Sequence, residues 1–99
     1  MRMFVRFTLP VDASNEAIKN GSLKATIEKT IAALKPEAAY FMAHDGMRSG
    51  FMVFDMKDPS DIPSIAEPFF LGMNAAVEFA PVMNAEDLAA GLEKAAKTF

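Results

Sequence analysis

Cysteine and tryptophan are absent from the 99 residues of the chain, and histidine occurs only once. Without cysteine the protein can form no disulfide, no thiolate nucleophile and no thiolate metal site, which fits a reducing compartment such as the cytoplasm. A single histidine with scattered acids also falls short of any metal-ligand spacing. We therefore expect no metal site and no cofactor.

Positive charge and long apolar runs are scarce as well. Ten Lys and Arg residues stand against 13 Asp and Glu residues, so the net charge is −3 and no basic run is available to neutralise phosphates. No apolar run approaches the roughly 20 residues of a membrane span. The alternating N-terminus, with Arg2 and Arg6, lacks the apolar core of a signal peptide. The composition predicts a soluble cytoplasmic protein with no nucleic-acid or membrane partner.

Motifs of the common enzyme classes are also missing, because the chain contains no GxGxxG, P-loop, GxSxG or HExxH pattern. Templates for nucleotide handling and for hydrolysis therefore do not apply. What the chain has in abundance is apolar material, with 52% hydrophobic residues, nine phenylalanines and eight methionines. For one domain over residues 1–99, this is more than a monomer of this size easily hides.

Hydrophobic spacing in the first third of the chain predicts a strand followed by a helix. Residues 3–9 alternate with the period of a strand, and residues 13–34 repeat apolar side chains at helical spacing. Asp12 or Ser14 is available as the cap of this helix. Asn20-Gly21 is expected to kink the helix or to separate its first turns.

The middle of the chain predicts a hairpin. Asp45-Gly46 lies between two apolar runs, and both central residues of a type I′ turn need positive φ, which this pair tolerates. Counting outward from the turn gives the expected cross-strand pairs: His44 with Met47, Met42 with Ser49, Tyr40 with Phe51 and Ala38 with Val53.

Three more elements complete the chain. A helix is expected from Ser60 or Asp61, with Pro68 kinking or ending it, and a strand is expected over residues 74–82. Asn84, followed by acidic residues, opens a last helix with one apolar stripe.

This order predicts an α+β, ferredoxin-like βαββαβ fold with an extra C-terminal helix. Its four-stranded antiparallel sheet has strand order 4-1-3-2, and both main helices pack on one face. The face expected under the helices is almost purely apolar and contains Gly50, where we expect a helix to approach closely. It comprises Met3, Val5, Phe7, Phe41, Gly50, Met52, Phe54, Val77 and Phe79.

The opposite side of the sheet, which we call the helix-free face, is unusually apolar for a surface facing water. It comprises Phe4, Arg6, Thr8, Tyr40, Met42, His44, Ser49, Phe51, Val53, Ala76, Glu78 and Ala80. We expect roughly 500 to 800 Å² of apolar surface there, which approaches the roughly 800 Å² per partner of an ordinary interface. The simplest way to bury this surface is to pack it against a second copy of the chain, so we predict a homodimer through this face.

Four stretches of the sequence also carry a family resemblance: GSLKATIEKTI, LKPEAAYF, DGMRSGFMVFDMKDPSDIPSIAEPFF and VEFAPVMNAEDL. With this element order and a half-aromatic free face, the chain resembles the dimeric α+β barrel superfamily, which includes muconolactone isomerase-like proteins and small cofactor-free monooxygenases. Within it, the chain is similar to a group of uncharacterised small bacterial proteins. The resemblance implies a dimeric barrel but no activity. Haem-degrading members rely on a tryptophan that is missing here.

Polar side chains on the helix-free face are the candidates for chemistry. An imidazole can act as a general base near neutral pH, but His44 at the hairpin tip could equally be a solvated rim residue. Arg6 and Glu78 lie on neighbouring strands and could form a self-satisfying pair. Alternatively, Arg6 holds an acidic ligand while Glu78 accepts a proton. Tyr40 could orient a carbonyl or serve the interface.

These residues support two functional hypotheses. The first is a non-catalytic module that binds a small molecule or a partner, with Arg6, Tyr40, Met42, Ser49 and Phe51 as ligand-binding residues. The alternative is a cofactor-free isomerase or monooxygenase acting on a small, partly apolar or acidic substrate, with His44 or Glu78 as the catalytic proton-transfer group.

Overall fold

The computed structural model describes residues 1–99 and contains four strands and four helices. The sheet is antiparallel throughout, with strand order β2-β3-β1-β4. The α+β fold and the predicted 4-1-3-2 order are therefore confirmed. In chain order the elements are β1 (Arg2–Leu9), α1 (Val11–Lys19), α2 (Ser22–Leu34), β2 (Ala38–His44), β3 (Met47–Asp55), α3 (Asp61–Met73), β4 (Ala76–Pro81) and α4 (Ala85–Ala96).

The first predicted helix divides into α1 and α2 at the expected position. Gly21 adopts a left-handed conformation with φ of 81°, which other residues adopt only with strain. The predicted caps of α1 are wrong, because Pro10 occupies the N-cap position and Asp12 and Ser14 lie inside the helix. The Ser14 hydroxyl instead donates to the Pro10 carbonyl at 2.8 Å, one turn back.

The hairpin follows the prediction in both turn and register. Asp45 and Gly46 have φ of 53° and 76°, so both central residues of the turn are left-handed as a type I′ turn requires. All four predicted cross-strand pairs are present, from His44 with Met47 outward to Ala38 with Val53. The turn therefore determines which side chains of β2 and β3 share a face.

Helix α3 continues past Pro68 to Met73, so the expectation that this proline could end the helix is wrong. A proline inside a helix costs about 3 kcal/mol through its missing hydrogen bond and its ring. Beyond it, Phe69 and Met73 are buried, and the Phe69 ring stacks on Phe7 at 3.8 Å. Burial of each such side chain contributes about 1.5 to 3 kcal/mol, so packing outweighs the cost of the proline.

The core lies between the helices and the two central strands. It combines alternate residues of β1 and β3 with Ala17 from α1 and with Phe69 and Met73 from α3. The helices cover the edge strand β2 only loosely, because Phe41 lines the same cavity as Leu23 and Ile27 of α2 but is 53% exposed. Phe41 therefore lies on the helix side of the sheet, as predicted, but is not buried there.

Gly50 has a different role from the one predicted. A Cβ built at Gly50 would lie 2.7 Å from Cδ1 of Phe41, and no helix atom is among its nearest neighbours. The missing side chain therefore makes room for the ring of the neighbouring strand rather than for a helix.

Helix α4 is well formed but makes no apolar contact with the core. Asn84 accepts from the Asp87 amide at 2.8 Å, and the Asp87 carboxylate accepts from the Asn84 amide at 3.1 Å, so the predicted cap is a complete capping box. None of its residues is buried or packs against the core. The molecule measures 54 × 27 × 19 Å, which is elongated for a chain of this length.

Candidate functional site

A row of four side chains crosses the middle of the helix-free face. Strand pairing places Tyr40 of β2 opposite Phe51 of β3, Phe51 opposite Arg6 of β1, and Arg6 opposite Glu78 of β4. The structure therefore aligns Arg6, Tyr40, Phe51 and Glu78 in one row across the sheet, and all four were predicted as site residues. We call these four residues the central row.

The aromatic part of the face forms a continuous platform. The Phe51 ring lies 5.4 Å from Phe4 and 5.7 Å from Tyr40, measured between centroids. Both distances fall within the range of favourable aromatic pairs. Tyr40 is 64% exposed, so a large part of the platform faces solvent.

Arg6 is the unusual member of the central row. Its guanidinium carbon lies 5.5 Å from the centroid of the Phe4 ring, in the range of a cation–π contact. Its Nε is buried and has no hydrogen-bond partner. Although Glu78 lies directly across the strand pair, the two side chains form no ion pair. The self-satisfying pair considered from the sequence is therefore not formed.

The two proton-transfer candidates lie far apart. His44 ends β2 and Glu78 lies on β4, so they occupy opposite edge strands of the sheet. Three strand spacings separate these edges, about 14 Å. His44 instead lies beside Asp45, with 3.4 Å between Nε2 and Oδ2. Within one chain, His44 and Glu78 cannot act on the same small molecule.

Met42 and Ser49 form part of the next row along the same face. Ser49 is buried, and its hydroxyl donates to the Phe7 carbonyl at 2.9 Å. Because the hydroxyl hydrogen is used in this bond, it is not available to a ligand. Met42 is partly exposed beside it on the edge strand. Both residues also belong to the lining of a cavity on the opposite side of the sheet.

That cavity lies between α2 and the sheet and has a volume of about 270 Å³. Eight of its eleven lining residues are hydrophobic, and only Arg48 and Ser49 carry polar side chains. The lining comprises Phe7, Leu9, Leu23, Ile27, Phe41, Met42, Arg48, Ser49, Gly50, Met52 and Phe69. The cavity exists because α2 lies over the sheet without burying any of its residues completely.

Arg48 is a structurally important residue that the sequence prediction missed. Its Nη1 donates to Ser14 Oγ at 2.7 Å and to Asn15 Oδ1 at 2.9 Å, so it joins β3 to α1 beside the cavity. The available signal was its position as the single charge on an otherwise apolar strand face. Such a charge needs a polar partner from the covering helix.

Ion pairs cluster at the end of the sheet where β1 begins. Arg2 donates to Glu37 and to Asp87, each at 2.6 Å, and these contacts raise its pKa above its ordinary value, with the Glu37 hydrogen bond as the main cause. Asp55 accepts from Lys57 and from the N-terminal ammonium, so its pKa falls to about 2. The charges at this end of the sheet are therefore already paired within the chain.

A larger groove, of about 870 Å³, lies between α2 and α3. Its floor is apolar, with Phe54 and Met56, while Lys29, Lys35 and Lys57 lie along its sides. None of the predicted site residues lines it. We therefore place the candidate site on the helix-free face and in the smaller cavity.

Comparison with models of protein families gives no match for this chain, and no curated protein matches it either. The resemblance to the dimeric α+β barrel superfamily therefore stays a prediction. No helix combines the length and the hydropathy that a membrane crossing requires. No three His, Asp or Glu side chains converge in a group that could hold a metal ion.

Proposed function

We propose that two copies of the chain pair through their helix-free faces and that each protomer binds a small, largely apolar molecule in the cavity between α2 and the sheet. In this proposal the protein is a non-catalytic binding module with the architecture of a dimeric α+β barrel. The apolar lining of the 270 Å³ cavity is the observation that carries the binding function.

The incomplete burial of the single chain supports the homodimer. Only 15 of the 99 residues are buried, and the radius of gyration is 15.9 Å. A compact domain of about 100 residues has a radius of gyration of about 13 Å. Both the aromatic platform and the stripe of α4, with Leu88 46% and Leu92 61% exposed, leave apolar surface uncovered. A second copy can cover both at once.

The size of the cavity indicates the class of ligand. A dry apolar cavity of about 150 Å³ holds benzene, and drug-sized ligands fill pockets of about 300 Å³ or more. A volume of about 270 Å³ lies between these limits. It therefore suits a molecule of one or two rings, or an aliphatic chain of similar volume.

The polar groups of the cavity favour binding over catalysis. Both polar lining side chains are engaged within the protein, Arg48 with α1 and Ser49 with the Phe7 carbonyl. An isomerase or monooxygenase would need a proton-transfer group near its substrate. Neither His44 nor Glu78 lines the cavity, and they lie on opposite edge strands.

The binding proposal is tested with naphthalene as the probe and with two matched variants of α2. Ile27 lines the cavity, whereas Ile31, one turn further along the same helix, does not. Ile27→Phe fills the cavity, so we expect it to weaken naphthalene binding at least about tenfold, which is about 1.4 kcal/mol. Ile31→Phe should leave binding unchanged. The measurement is the titration of amide chemical shifts of cavity residues in ¹⁵N-labelled protein.

Two results would contradict the binding proposal. One is the absence of saturable shifts at Leu23, Gly50 and Met52 in the unmodified protein. The other is equal weakening by Ile27→Phe and Ile31→Phe, since a general effect on α2 would then explain the loss.

A further inference from the structure

We infer that Arg6 of each protomer pairs with Glu78 of the partner subunit, so that two equivalent ion pairs across the helix-free faces determine how the copies align. This inference rests on the proposed homodimer. It assigns the two charges of the central row to recognition between copies rather than to a ligand or to catalysis.

Arg6 and Glu78 are the only charged residues of the helix-free surface left without an ionic partner. Arg2, at the start of β1, is held by Glu37 and Asp87, and Asp55 is held by Lys57 and the N-terminus. His44 lies against Asp45. The two remaining charges have opposite sign and lie next to each other in register.

Closing the face over Arg6 requires an anion. The guanidinium already has a buried Nε without a hydrogen-bond partner, and its only nearby support is the Phe4 ring. A second apolar face laid over an unpaired guanidinium would remove its remaining water, at a cost that an apolar contact does not offset. Glu78, which is exposed in the single chain, is the carboxylate that the same face can supply.

Two-fold symmetry makes this pairing reciprocal. In an isologous interface, if residue i of one copy meets residue j of the other, then j of the first meets i of the second. An axis that passes between β1 and β4 at the central row would bring each Arg6 against the partner's Glu78. Both pairs then form together, and each charge is neutralised once.

The test uses charge reversal in mixed samples. Arg6→Glu alone places two carboxylates against each other in both pairs, and Glu78→Arg alone places two guanidinium groups against each other. We expect each variant by itself to dimerise at least about tenfold more weakly than the unmodified chain. Mixing the two variants restores two opposite-charge pairs. With one variant ¹⁵N-labelled, native mass spectrometry should show the heterodimer as about 90% of all dimers, compared with the half that random pairing gives.

A matched control comes from α2. Lys24 and Glu28 form an exposed pair one turn apart, with 4.0 Å between Nζ and Oε1. A mixture of Lys24→Glu and Glu28→Lys should form homodimers and heterodimers in statistical proportion, because both residues lie away from the helix-free face. Preferential pairing of this control mixture would contradict the interpretation.

The outcomes separate this inference from the proposed function. An unmodified chain that stays monomeric overturns the homodimer and the ion pairs together. An unmodified dimer whose Arg6→Glu and Glu78→Arg variants mix statistically overturns the ion pairs and leaves the dimer standing.

If a charge-reversed variant does not fold, a double-mutant cycle of uncharged substitutions tests the pairing instead. Arg6→Met, Glu78→Gln and their combination keep the size of the side chains and remove the charges. Dimer dissociation constants that are non-additive across this cycle support the pairing, and additive constants contradict it.

Discussion

Arg48 connects the hairpin to the first helix through a single nitrogen. Its Nη1 contacts Ser14, which is completely buried, and Asn15. We expect Arg48→Ala to lower the free energy of unfolding by about 1.5 to 3 kcal/mol, because hydrogen bonds to a charged group are lost. Chemical denaturation measures this change.

The control for this prediction is Lys24→Ala on the exposed side of α2, which should change the free energy of unfolding by less than about 0.5 kcal/mol. An Arg48→Ala variant as stable as the Lys24→Ala variant would show that the contact between β3 and α1 contributes nothing measurable.

Asp55 gives the protein a defined response to acid. Its pKa is lowered to about 2, first by the Lys57 hydrogen bond and then by the N-terminal ammonium. Because the native pKa lies below the unfolded value of about 3.9, the stabilisation is complete above pH of about 4 and is lost as the pH falls toward 2. The difference in unfolding free energy between the unmodified chain and Asp55→Asn should shrink over this interval.

Two measurements check the prediction for Asp55. Denaturation curves at a series of pH values give the stability difference directly. Titration of the carboxyl by NMR should show a higher pKa for Asp55 in a Lys57→Met variant. A stability difference that stays constant from pH of about 5 down to 2 would contradict the assignment.

The sequence could predict which face of the sheet a side chain lies on, but not which other side chains it contacts. Alternation in β1 placed Arg6 on the helix-free face, and pairing with β4 placed Glu78 beside it, as the structure has them. Whether the two side chains would meet depended on the Phe4 ring, which holds the guanidinium instead. Likewise, the partners of Arg48 come from α1, whose packing on the sheet no local pattern specifies.

Glycine at position 50 and glycine at position 72 have opposite roles, although both lie inside regular elements. In β3, a Cβ at Gly50 would lie 2.7 Å from the Phe41 ring and 3.3 Å from the Tyr40 carbonyl. In α3, a Cβ at Gly72 meets no atom within 4 Å. We expect Gly72→Ala to stabilise the protein by about 0.5 to 1 kcal/mol through its helix preference, and Gly50→Ala to destabilise it.

Thermal unfolding of the two alanine variants provides this comparison, since both add a single methyl group. Equal shifts of the unfolding midpoint in the same direction would contradict the role assigned to Gly50, which is to make room for the ring of Phe41.

Substitutions in helix α4 should affect dimerisation without affecting the stability of the monomer. Leu88 and Leu92 pack against none of the core, so Leu88→Ser with Leu92→Ser should change the free energy of unfolding of the monomer by less than about 0.5 kcal/mol. The same double variant should weaken dimerisation, because in the proposed dimer the apolar stripe is surface that the second copy covers. Analytical ultracentrifugation measures assembly, and denaturation under monomeric conditions measures stability. Unchanged assembly would show that α4 lies outside the interface.

Elements marked by strong local signals were predictable. The Asp45-Gly46 turn, the break at Gly21 and the Asn84 cap were each confirmed where the sequence placed them. Pro68 was different, because the burial of Phe69 and Met73 beyond it extends α3 against the local preference. The exposure of Phe41 was unpredictable for the same reason, since it depends on how far the helices reach across the sheet.

At the scale of the whole molecule, a single chain buries the apolar side chains on only one face of its sheet. The helices protect one face of β1 and β3, while the helix-free face, the edge strand β2 and the stripe of α4 keep apolar side chains in contact with water. Exposed apolar surface of this extent usually marks an interface. In the proposed homodimer, a second copy covers all three of these apolar surfaces.

The most direct test of this account is the mass of the unmodified protein in solution. Sedimentation equilibrium at micromolar concentration should give twice the 10.8 kDa of one chain, and hydrogen exchange should show the amides around Tyr40 and Phe51 becoming protected as the dimer forms. A species of 10.8 kDa at every concentration, with the helix-free face open to exchange, would contradict the account.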